Sequence, residues 1–229
     1  MRRVHWILSG LSLTIILLSI NRLTSLTSGY LQPFEFLRWL DFNAMLPIPL
    51  LSIVLYYLLK REVITKTPLW LGVLLVVGIY LFGAGSGDHE VTNYLHGRYC
   101  DNHKLPISAC QIIIYNDDSF SHYIYYLGFI SINVALMLLE YNQPQAKATS
   151  KKDLIFISVN AAVIALGIFA NLAFEETGVD IPVFSAVMIL ALYLLYSRKR
   201  DWSKLPVTYY FAFSYTAGVL STLAYKFIH

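Results

Sequence analysis

Seven runs of apolar residues, near Val4–Ile20, Ala44–Leu59, Pro68–Ala84, Phe120–Leu139, Leu154–Phe174, Ile181–Tyr196 and Val207–Phe227, constrain this chain more than any other feature. About 20 apolar residues, rising 1.5 Å each, carry an α-helix across a hydrocarbon core of about 30 Å. No water is available there to satisfy a backbone N–H or C=O, so a segment crossing lipid in this way has to be helical. The runs predict an all-α, polytopic transmembrane helix bundle of about seven spans, built as a single integral membrane domain over residues 1–229. Composition agrees, because with 57% of residues hydrophobic and 14% charged there are too few charges to cover a soluble surface. A formal charge of +3, scattered among apolar runs, offers no basic footprint for a nucleic acid. The first run follows Arg2 and Arg3 and precedes small residues at 25–29; read as a cleaved signal segment, it leaves six spans.

Lys and Arg are retained on the cytoplasmic side of short loops, and they alternate cleanly along this chain. With the N-terminus cytoplasmic, inner segments hold 12 of the 17 basic residues, and the outer ones hold only Arg22, Arg38, Arg98, Lys104 and Lys226. Acidic residues run the other way, leaving the outer face at −5 and the inner at +8. The retention rule ignores Asp and Glu to a first approximation, so the acidic outer face calls for a functional explanation.

Three outer segments supply candidate chemistry. In Asp88-His89-Glu90-Val91-Thr92-Asn93-Tyr94-Leu95-His96, residues His89, Asn93 and His96 follow i, i+4, i+7 and share one helical face. In Asn116-Asp117-Asp118-Ser119-Phe120-Ser121-His122, Asp118 and His122 are spaced i, i+4; the alternative for Asp117 and Asp118 is to cap the N-terminus of the fourth span. At the end of the fifth span, Asn171 and Glu175 again share a face. Ionisable groups at membrane depth are costly and face a bundle interior or a watery cavity. A divalent ion (zinc, iron or manganese) held by His89, His96, His122 and Asp118 would acidify a bound water, with Glu90 or Glu175 as general base and Asp118 or Glu175 completing the shell. Glu90, Asp118 and Glu175 are therefore the expected catalytic carboxylates. Cys100 and Cys110 fall in the same outer region, where a disulfide can persist.

The stretch from Gly85 to Glu140 resembles the bacterial inner-membrane YjdF-like family, relatives of the VanZ-like membrane proteins. The likeness rests on Gly87 and His89, then Asn116, Asp118, His122 and Tyr123, then Gly128, Phe129 and the closing Glu140, with Phe174-Glu175-Glu176 similar to the family's Glu-containing helix end. Asp117 stands where the family has Tyr, and His96 and the Cys100–Cys110 segment are additions. The resemblance implies a multi-span fold in a bacterial plasma membrane and names no substrate. Two functions follow as expectations: binding of a lipid headgroup, envelope component or partner at the non-cytoplasmic face, or metal-dependent hydrolysis or transfer on a lipid or lipid-linked substrate. Transport finds less support, since no internal repeat is visible and the ionisable residues gather at one end of the spans.

Overall fold

The computed structural model describes residues 1–31, 35–101, 106–174 and 180–228. They form α1 (Arg2–Leu23), α2 (Trp39–Met45), α3 (Pro47–Val63), α4 (Leu69–Leu95), α5 (Ile107–Tyr115), α6 (Ser121–Asn142), α7 (Lys151–Phe174), α8 (Asp180–Ser197) and α9 (Pro206–Ile228), with no strand among them. Six segments are long and apolar enough to cross a membrane: α1, α2 with α3, α4, α5 with α6, α7 and α8. A seventh helix of 23 residues, α9, is richer in Tyr, Ser and Thr and has its interior against α7, α8 and α6. Tyr210, Phe211 and Tyr215 are among the largest fully buried side chains, so the first half of α9 is packed inside the bundle.

Local chemistry explains the breaks. Pro47 opens α3 directly after α2, because its ring has no N–H to give and clashes with the carbonyl one turn back. At the head of α2 the Asp41 carboxylate accepts from Arg38 Nε at 2.8 Å and Nη2 at 2.7 Å, a bidentate pair that also caps the helix. The start of α9 is capped from another helix: buried Glu140 accepts from the Val207 N–H at 3.0 Å, the Thr208 N–H at 2.7 Å and the Thr208 hydroxyl at 2.8 Å. A carboxylate there satisfies orphan donors and sits at the positive end of the helix dipole.

The closest helix pair is α4 with α6, and glycine makes it possible. A Cβ on Gly128 would lie 2.1 Å from the Phe82 nitrogen, and one on Gly85 would lie 2.4 Å from the Tyr125 nitrogen. Small residues permit such backbone approach where lipid gives no hydrophobic drive for helices to associate. Hydrogen bonds from Ser12 to Asn160, Asn133 to Tyr215 and Tyr126 to Asn171 tie other helix pairs inside the bundle.

The polar stretch from Gly85 to Ser119, placed between spans by its composition, is helical over most of its described length. Helix continues from α4 to Cys100 and resumes at Ile107, giving continuous segments of 32 and 36 residues. A helix satisfies its own backbone in water as in lipid, so the end of an apolar run need not end the helix. Counting about 20 residues for the membrane core from Arg3, Leu69 and Lys152, and back from Asn142, arrives near Arg22, Glu90, Asn171 and His122. Four helices thus bring polar residues to one boundary level.

Candidate functional site

Two helices leave α geometry at this level. The turn His96–Cys100 closing α4 and the turn Asn116–Phe120 opening α6 are both π-helical. In such a turn the backbone bond reaches five residues, as from the Asp101 N–H to the His96 carbonyl at 3.2 Å, so side chains five apart come together. Cys100, ending the first π-turn, is joined to Cys110 of α5 by a disulfide with a Cα–Cα distance of 5.5 Å. The bond ties the end of the first π-turn to α5.

Asp117 is the hub. Its side chain is 2% exposed, and its Oδ2 lies 2.8 Å from His96 Nδ1. Oδ1 lies 3.2 Å from His89 Nδ1, a nitrogen that also faces the Asp117 carbonyl at 3.4 Å. One buried carboxylate therefore serves two imidazoles from α4. Beyond it, His96 Nε2 lies 3.5 Å from Asp101 Oδ1. On the other side His122 packs edge-on against His89, with ring centroids 4.6 Å apart.

Below this cluster lies a cavity of about 390 Å³ bounded by α1, α2, α3, α4, α6, α7 and α8. Its walls are apolar along Ile15, Leu18, Phe82, Phe129, Ile164 and Ile168. Its polar end carries Arg22, His89, Glu90, His122, Ser121 and Asn171. Arg22 and Glu90 form an ion pair between α1 and α4, and Glu90 Oε2 is buried with no hydrogen-bond partner.

The chain has no match among protein-family models, curated proteins or solved structures. The site is read from its own geometry.

Of the residues expected from sequence, His89, His96 and His122 come together at one level, and Glu90 reaches the same cavity as His89 and His122. The ligand set His89, His96, His122 and Asp118 is divided by Asp117, which the sequence offered only as a helix cap. Among the described residues the group close enough to share one ion is His96, Asp117 and Asp118, with ligand atoms within 4.8 Å of one another. Asp118 is exposed. Glu175 lies outside the described residues, and its neighbour in the pattern, Asn171, accepts from the Tyr126 hydroxyl at 2.9 Å. Arg22 had entered only as a charge in the orientation count. The signal for it was present, because a charge at membrane depth demands a partner and Glu90 is the acidic residue at the same level.

Proposed function

We propose that the protein binds an amphipathic membrane molecule, a lipid or lipid-linked compound, with its chain in the cavity and its head at the outer rim. The carrying observation is the join of an apolar chamber to a charged rim in one cavity of about 390 Å³. Arg22 offers donors to an anionic group, and the unpartnered Glu90 Oε2 offers an acceptor to an ammonium or hydroxyl. In this reading the N-terminus is cytoplasmic, following the distribution of Lys and Arg, and the ligand's head faces the opposite side of a plasma or inner membrane.

The alternative of metal-dependent hydrolysis or transfer is less well served. None of His96, Asp117 and Asp118 lines the cavity, so an ion there would act beside the bound head and not on it. The test is lipid analysis of detergent-purified protein next to Ala170→Trp, which places an indole at an exposed position on the cavity wall. Co-purifying lipid in wild type, reduced several-fold in folded Ala170→Trp, supports binding. Equal lipid in both, or none in wild type above that of an unrelated membrane protein, refutes it.

A further inference from the structure

We infer that His96, Asp117 and Asp118 form a binding site for one divalent transition-metal ion, Mn²⁺ or Zn²⁺, set between the two π-turns and separate from the cavity. Three donors of suitable type converge within 4.8 Å: an imidazole nitrogen and two carboxylates. Mixed nitrogen and oxygen donors suit these ions better than Ca²⁺, which takes six to eight oxygens, or Mg²⁺, which keeps most of its water. Three protein ligands leave further positions for water.

The surroundings point the same way. A metal-bound histidine characteristically donates its other ring nitrogen to a carboxylate, which fixes the ring and strengthens the donor. In His96, Nδ1 faces the fellow ligand Asp117 at 2.8 Å, and the other nitrogen, Nε2, is turned toward the Asp101 carboxylate 3.5 Å away. Asp117 Oδ1, the oxygen not turned to His96, is buried without a hydrogen bond, 3.2 Å from His89 Nδ1. Adjacent carboxylates repel, and the described residues place no Lys or Arg within ion-pair distance of Asp117 or Asp118. A cation between the two carboxylates would offset that repulsion.

Both π-turns matter to this geometry. The first puts Asp101 beneath His96, and the second turns Asp117 inward while Asp118 stays beside it at the surface. A bound ion would link the end of α4 to the start of α6 as the disulfide links the end of α4 to α5. Asp117 lies beside His89, which lines the cavity, so the ion would neighbour the cavity wall without sharing its space.

The test uses full-length protein in detergent with the disulfide kept oxidised, stripped with chelator and titrated with Mn²⁺ while free Mn²⁺ is read by electron paramagnetic resonance. Wild type should take up about one equivalent, and Zn²⁺ should compete for it. Asp118→Asn and His96→Gln should each bind at least tenfold more weakly, and Asp101→Asn should weaken binding about 10-fold or more, as loss of a partner behind a ligand does. Asp153→Asn, at the opposite end of the bundle, should bind as wild type does. Because Asp118 is exposed, its variant keeps the test sound if His96→Gln fails to fold. Folded wild type that takes up neither ion, or Asp118→Asn that binds as wild type does, overturns the site. Neither result touches the cavity reading, which Ala170→Trp tests apart from the ion.

Discussion

Adding one methyl group at Gly128 should damage the bundle far more than adding one at Gly87, although both glycines stand on helices that meet along the same seam. A Cβ on Gly128 would lie 2.1 Å from the Phe82 nitrogen and 2.6 Å from its Cα, whereas ordinary contact begins near 3.4 Å. The obstacle is backbone, which cannot rotate aside, so α4 and α6 must separate by more than an ångström. Overpacking typically costs about 1–3 kcal/mol, and a backbone clash belongs at the upper end of that range. At Gly87 nothing lies within 4 Å of the new atom, and replacing a helical Gly by Ala stabilises by about 0.5–1 kcal/mol. The propensity gain is common to both helical positions, so the two variants should differ by the clash, about 3 kcal/mol, which at about 2–4 °C per kcal/mol for a chain this size is a gap of roughly 6–12 °C. The assay heats detergent-solubilised protein in steps and measures the fraction still monodisperse by size exclusion. Variants that melt within a degree of one another would show that α4 and α6 do not meet through Gly128.

Glu140→Ala strips the cap from α9 and leaves two buried N–H groups and a hydroxyl without an acceptor, so it should destabilise by about 3 kcal/mol, with Glu140→Gln retaining part of that loss; thermal melts of the two decide it. Arg22→Gln should cost roughly 2–3 kcal/mol by leaving Glu90 buried without its counter-charge, less than for a fully buried pair because Arg22 is 35% exposed. The double variant Arg22→Gln with Glu90→Gln should recover most of this, and a double variant as unstable as the sum of the singles would contradict the pairing. Cys100→Ser with Cys110→Ser opens a loop of sequence separation 10 and should lower stability by about 2–3 kcal/mol, while making the melting temperature insensitive to reductant. Equal reductant sensitivity in wild type and this variant would argue against the bond.

What could be read from the sequence follows how local each cause is. The spans were legible because apolar length is a property of contiguous residues: each expected run falls on helix, apart from Leu46, where α2 gives way to α3, and Pro68, just before α4. Asp117 was not legible, because i, i+4 counting assumes an unbroken α-helix and so favours Asp118 with His122. The π-turn inserts one residue, after which Asp117 is inward and His122 lies five positions on. The role of Glu140 was equally hidden, since its partners are 67 and 68 residues away. A resemblance marked Glu140, but only the packing of α6 against the start of α9 says what it does. His89 and His96 were found because both stand on or beside the regular part of α4, where face-sharing holds.

The cap on α9 also sets an order of events during synthesis. Translation adds about 5–20 residues each second, so several seconds separate the appearance of Glu140 from that of its partners 67 residues later. Through that interval α6 carries an unsatisfied carboxylate, together with Asn133, whose partner is Tyr215 of α9. Until α9 is made, the packing partner already available to α6 is α4, its close neighbour. A chain ending before residue 206 lacks every one of these partners, so the last helix made is the one that completes the polar pairing of α6.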